Sequence, residues 1–131
     1  MILESNFLIH LERERRRKEQ GPASEFLLSN AGSPLVITPT IAGEIACRDS
    51  MRDPKSWETF MGYFPSLEIT PKVSWHHGGI FRSLKNKSQM TGQNDLWIAA
   101  TGLAHKHLVV TQNTSEFARV PGLEIRNFKT S

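Results

Sequence analysis

The stretch Leu35-Val36-Ile37-Thr38-Pro39-Thr40-Ile41-Ala42-Gly43-Glu44-Ile45-Ala46 holds a strand, a helix start and an acid among core-type residues. Leu35 to Thr38 is a short apolar, β-branched run of the kind buried on both faces of a parallel sheet. Thr38 followed by Pro39 reads as a helix start, because proline at the first helical position gives up an N–H that would be unpaired anyway. The helix is predicted from Pro39 to about Arg48, which puts Glu44 inside it, where a carboxylate is unfavourable unless something compensates it.

The same alternation extends outward in both directions. Met1 to Leu3 reads as a strand, and Phe7 to Lys18 as a helix, with Glu12–Arg16 and Glu14–Lys18 as i,i+4 pairs and Gln20-Gly21-Pro22 as the stop. Glu25 to Leu28 is predicted to be a second short helix, and Asn30 to Pro34 the turn into Leu35. Downstream, Asp53-Pro54 opens a helix through Trp57 to Met61, and Ser66 to Thr70 is a third strand. Pro71 to about Gln89 is a long helix weakened at Gly78-Gly79. Asn94 or Asp95 is expected to cap the helix carrying Leu96-Trp97-Ile98-Ala99-Ala100. Leu108 to Thr111 is a core strand, Thr114 to Phe117 a helical turn and Leu123 to Ile125 an edge strand. Strands alternating with helices predict an α/β fold with a mostly parallel central sheet covered on both faces. In such sheets ligands bind beyond the carboxyl ends of the strands.

Composition narrows the class. The 131 residues predict a single domain over 1–131, and one cysteine, Cys47, closes no internal bridge. Cys47 reads as a small buried filler. The opening Met1-Ile2-Leu3-Glu4 lacks the basic and apolar regions of an export signal, and no apolar run approaches the ~20 residues of a membrane span. A cytoplasmic protein without membrane contact is therefore expected. The formal charge of +3 suits an anionic partner.

Four acids fall near the predicted rim in apolar or small surroundings: Glu4, Glu44, Asp95 and Glu116. Gathered carboxylates repel one another and are desolvated, so a cation is expected to compensate them. Oxygen-only donors suit hard divalent ions, Mg²⁺ or Mn²⁺. From Ile69 to Asn94 there is no acid, while Lys72, Arg82, Lys85 and Lys87 are basic. Arg82, Lys85 and Lys87 are candidates for holding an RNA backbone, and Arg13 to Lys18 forms a second basic patch. Taken singly, each acid also reads as a helix cap or a solvated charge, and Trp57, Trp75 and Trp97 as core or interface residues.

In order and spacing the chain resembles the PIN-domain ribonucleases, and within them the VapC-type toxins of bacterial toxin–antitoxin pairs. The resemblance is carried by Ile2-Leu3-Glu4-Ser5-Asn6-Phe7-Leu8-Ile9, by Thr38 to Glu44, by Gly92-Gln93-Asn94-Asp95-Leu96-Trp97-Ile98-Ala99-Ala100, by Leu108 to Phe117 and by Val120-Pro121-Gly122-Leu123. It implies a three-layer α/β/α PIN-like domain and an Mg²⁺- or Mn²⁺-dependent endoribonuclease cleaving RNA phosphodiester bonds by metal-activated water. It also implies a homodimer and a cognate antitoxin. Carried over by position, Glu4, Glu44, Asp95 and Glu116 would be catalytic and metal-binding. Ser5 and Asn6 would support the first carboxylate, and Thr111 and Asn113 would shape the far wall. The family usually has Asp where this chain has Glu4, and an added methylene shifts a carboxylate by about the ~1 Å that disturbs positioned chemistry. Weak activity, altered metal preference or a catalytically inactive RNA- or antitoxin-binding module are the outcomes that this departure predicts. A phosphoacceptor signalling domain is the third class, disfavoured because Leu67-Glu68-Ile69-Thr70 lacks an Asp at the strand end.

Overall fold

The structure, a computed structural model, describes residues 1–129. Its elements run β1 (Ile2–Leu3), α1 (Ser5–Arg16), α2 (Pro22–Ser29), α3 (Pro39–Ala46), a 3₁₀ turn (Asp49–Met51), α4 (Pro54–Met61), α5 (Pro71–Asn86), α6 (Gln93–His105), β2 (Val109–Val110), α7 (Thr114–Phe117) and β3 (Ile125–Arg126). β1 pairs in parallel with β2, and β2 with β3. Two further parallel bridges, Ile2 to Val36 and Ile37 to Ser66, widen this core. Across the sheet the order is Ser66, Val36–Ile37, β1, β2, β3.

That order places the topological reversal between β1 and β2, since the chain first winds outward from β1 to Ser66 and then crosses back to β2. At such a point the connections leave in opposite directions and open a crevice at the carboxyl ends. Glu4 and Thr111 are the residues that follow β1 and β2, and the Glu4 N–H bonds the Val110 carbonyl at 3.0 Å.

The α/β reading with a parallel sheet holds, but two expected strands shrink to bridges. Leu35–Thr38 and Ser66–Thr70 are each bracketed by prolines, Pro34 with Pro39 and Pro65 with Pro71, which remove ladder donors at their ends. Ile69 on the second is 44% exposed. The last strand forms at Ile125–Arg126 instead of Leu123–Ile125. Gly78-Gly79 do not interrupt α5, whose Val73, Ile80 and Leu84 are buried at helical spacing. The first helix ends at Arg16 with Arg17 as its C-cap, the chain then turns at Lys18, left-handed at φ 52°, and Gly21 serves as the N-cap of α2.

The core holds Ile2, Leu3, Phe7, Leu8, Ile41, Ile45, Leu96, Ile98, Val109 and Val110, all at most 1% exposed. The helices that carry the acids are thereby fixed to the sheet. The Thr38 hydroxyl caps α3 by accepting from the Ile41 N–H at 3.2 Å, a cap worth about 1 kcal/mol. α6 starts at Gln93 with Gly92 as N-cap and no side-chain cap, so neither Asn94 nor Asp95 caps it. Cys47 is exposed, not buried, because α3 ends at Ala46 and turns it outward. Trp75 is 69% exposed and so is no core residue, whereas Trp57 is half-buried and donates to the Ala42 carbonyl at 3.1 Å.

Candidate active site

Four elements deliver the four acids. Glu4 is the N-cap of α1, Glu44 lies in α3, Asp95 in the first turn of α6 and Glu116 in α7. Glu4 is 6% exposed, and the other three are half-buried.

A hydrogen-bond network fixes two of them. The Thr111 hydroxyl, fully buried, donates to Glu4 Oε2 at 3.3 Å and accepts from Asn6 Nδ2 at 3.0 Å and from the Asn113 N–H at 2.8 Å. Glu4 Oε2 also accepts from the Asn6 N–H at 3.2 Å. Asn6 Oδ1 accepts from the Gln112 N–H at 3.1 Å, which orients the Asn6 amide. Asn113 Nδ2 donates to Glu116 Oε2 at 2.9 Å. The ends of β1 and β2 are thus laced together around one carboxylate, and α7 is tied on through a second.

Glu44 is held separately. The Ser5 hydroxyl donates to Glu44 Oε1 at 2.7 Å, so the Ser5 side chain steadies the second carboxylate and not the first. At the first helical position it points across to α3, while Asn6 turns toward β2. Only the Ser5 backbone amide serves Glu4.

The electrostatics mark the cluster. Burial pushes the Glu4 carboxyl upward, and Glu44 adds to this; the Asn6 and Ser5 amides and the Thr111 hydroxyl act against it. Asp95 is pushed up to about 7, first by burial, then by hydrogen bonding to Glu116, then by the charges of Glu4, Glu116 and Glu44. Asp95 therefore feels all three other acids, and Glu4 feels Glu44. The two ion pairs among the described residues, Arg16–Glu12 and Arg52–Asp49, involve none of them.

Among the described residues no three His, Cys, Asp or Glu side chains stand in a ligand-ready group. The chemistry of the donor set nonetheless fits a hard divalent ion: four carboxylates, oxygen donors only, and no ion pair to a lysine or arginine among the described residues. Glu4, Glu44, Asp95 and Glu116 are the residues that could hold it. An open trough lined by Glu44, Gly92, Gln93, Asn94 and Asp95 borders two of them.

Arg82 and Lys85 lie exposed on α5, and Lys87 is exposed at its C-cap. Glu14, which sequence reasoning missed as a special residue, is a buried carboxylate of another kind. It accepts from the Gly21, Ala23 and Ser24 N–H groups and the Ser24 hydroxyl at 2.7 to 3.0 Å. The signal available was Gly21-Pro22-Ala23, a helix start without a capping side chain of its own. Glu14 fills that role, and the expected Glu14–Lys18 pairing is replaced by it.

No family model matches the chain. A relative named ribonuclease VapC2, from Rickettsia felis, is 30% identical over 71 residues, 54% of this chain. The chain spans about half the length of that relative, 53%. Ribonuclease VapC of Rickettsia bellii is 28% identical over 133 residues, covering 95% of this chain and 93% of the relative. Among solved structures, a chain of VapBC-1 from nontypeable Haemophilus influenzae superposes with a TM-score of 0.81 at 20% identity, covering 98% of each chain. Along nearly its whole length the chain is thus similar in sequence to proteins named ribonuclease VapC and in fold to a chain of VapBC-1, the likeness that the motifs around Glu4, Glu44 and Asp95 led one to expect.

Proposed function

We propose that the chain is a metal-dependent endoribonuclease acting as the toxin of a toxin–antitoxin pair. The observation that carries this reading is the convergence of Glu4, Glu44 and Glu116 on Asp95: burial first, then the hydrogen bond to Glu116 and the three charges, lift its carboxyl to about 7, and among the described residues no basic side chain is paired to the cluster. A structural carboxylate is normally paired or saturated with donors; Asp95 has no cationic partner among the described residues, which supports a dication as the compensating charge. Relatives named ribonuclease VapC support the reaction class. Solved VapBC structures support an antitoxin partner, which we extend to this chain. A homodimer and a cytoplasmic location belong to the same proposal. Among the described residues no helix is long and apolar enough to cross a membrane.

The chain's own residues would act as follows. Glu4, Glu44, Asp95 and Glu116 hold Mg²⁺ or Mn²⁺. The ion, once bound, supplies Lewis acidity toward the phosphodiester and a lowered pKa for water. Thr111 and Asn6 fix Glu4, Ser5 fixes Glu44 and Asn113 fixes Glu116, so the carboxylates do not reorient when substrate arrives. Arg82, Lys85 and Lys87 attract the RNA backbone, and binding weakens as salt rises.

One observation favours a second reading, an inactive RNA- or antitoxin-binding module. Glu4 already spends Oε2 on the Asn6 N–H and the Thr111 hydroxyl, as a helix cap does. The two readings separate when purified protein is incubated with RNA with and without Mg²⁺ or Mn²⁺, beside Asp95→Asn. Cleavage that needs the metal and falls by at least about 100-fold in the variant is expected. Equal behaviour of the two proteins would leave only the binding module. Glu4→Asp should raise the rate if the added methylene is the impediment.

A further inference from the structure

The trough beside Glu44 and Asp95 has a second wall that the carboxylate chemistry leaves unexplained. It is made by Gly92, Gln93 and Asn94, and the open trough measures about 370 Å³. Gln93 and Asn94 open α6 and are exposed. Among the described residues neither side-chain amide is engaged by another group. Their backbone is nevertheless fixed, because Leu96 and Ile98 to Gly102 behind them are buried.

Gly92 adds an independent observation. Its φ of −64° and ψ of 153° suit any residue, and a Cβ there would meet nothing within 4 Å. Neither the backbone nor the packing calls for glycine, and a capping side chain would have helped α6. What the missing side chain provides is free floor in the trough.

A side-chain amide offers one acceptor and a donor side by side, without charge. That pattern suits the edge of a base, whereas a phosphate is met by lysine or arginine. Single-stranded RNA presents such edges unpaired. We infer that Gln93 and Asn94 read the edge of an unpaired RNA base beside the cleaved phosphodiester, and so set sequence preference. This rests on the nuclease reading above and deepens it.

The test uses a pool of single-stranded RNA oligonucleotides randomised around the cut, with product ends sequenced for wild type, Gln93→Ala and Asn94→Ala. Wild type should prefer particular bases next to the cut. The alanine variants should flatten that preference by about tenfold at one position. Gly92→Phe, which fills the trough, should lose the preference while its circular dichroism stays native. An unchanged spectrum, or slowing shared equally by all sequences, overturns the inference, because a backbone contact acts uniformly. The same pool is bound to Asp95→Asn with and without Asn94→Ala. Base selection in binding that vanishes with Asn94→Ala, while the wild-type protein cuts no sequence of the pool with Mg²⁺ or Mn²⁺, would sink the nuclease reading and leave the base contact of Gln93 and Asn94 standing. Binding and cutting both without base selection would sink the inference.

Discussion

Glu14 and Glu4 belong to the same helix, ten residues apart, and are almost equally hidden, at 7% and 6% exposure. At Glu14 burial opposes the charge, yet the Ser24 hydroxyl and the Ser24, Ala23 and Gly21 amides outweigh it and hold the carboxyl below its ordinary value. At Glu4 burial wins, and Glu44 joins it. Burial alone therefore says nothing about the role of an acid; the surplus or shortage of donors does. Glu14 is saturated by the start of α2 and is a fastener. Glu4 faces Glu44, and its donors do not outweigh its burial.

The largest effect that would break this contrast is at Glu14. Glu14→Ala strips four donors of their acceptor and should cost about 3 kcal/mol. It should lower the urea midpoint with an unchanged slope. A loss under about 0.5 kcal/mol, the size of an ordinary surface substitution, would reduce Glu14 to a surface charge.

Next is the response to a dication. Mn²⁺ at a hundredfold excess over its Kd should add about 2.7 kcal/mol and raise the melting temperature by several degrees. Thermal melts of Asp95→Asn should lose that rise and those of Glu14→Ala should keep it. A rise of equal size in all three proteins would place the ion elsewhere.

A pH titration of stability sharpens the same contrast, because the two kinds of acid have opposite signs. The Asp95 carboxyl titrates near 7 in the folded chain against 3.8 unfolded. The folded state therefore binds more protons between those values, and stability in metal-free buffer should rise as pH falls from about 7 toward 4. Asp95→Asn should flatten that rise. Glu14, held below 4.5, contributes stability that is present above 4.5 and lost as pH falls through its folded value. The acid-side loss should be absent in Glu14→Ala.

The smallest effect belongs to Glu12 of the same helix, paired at 3.2 Å with an exposed Arg16. Glu12→Ala should change stability by under about 0.5 kcal/mol, measured in the same urea series. Three acids on one helix then span the range from fastener to ornament.

The sequence made the order of elements readable because its punctuation is local: Pro39, Pro54 and Pro71 at helix starts, and β-branched runs at Val36-Ile37 and Val109-Val110. The acids were readable as a set through their order along the chain and the resemblance that order carries. What escaped was decided at long range. Glu14 sits among Glu12, Arg13 and Arg15, so its surroundings in sequence look solvated; only the fold brings Gly21 to Ser24 against it. The Ser5 hydroxyl reaches Glu44, 39 residues away, a partner no local pattern names. The two shortened strands depend on edge exposure and proline bracketing, and a run of apolar residues announces neither.

The bond between Thr111 and Glu4 joins residues 107 positions apart. On a ribosome adding roughly 5 to 20 residues per second, Glu4 is made about 5 to 20 s before its partner. Until β2 slides in beside β1, no half-made chain owns the carboxylate pocket, and whatever that pocket does is deferred until Thr111 has been made and has reached Glu4.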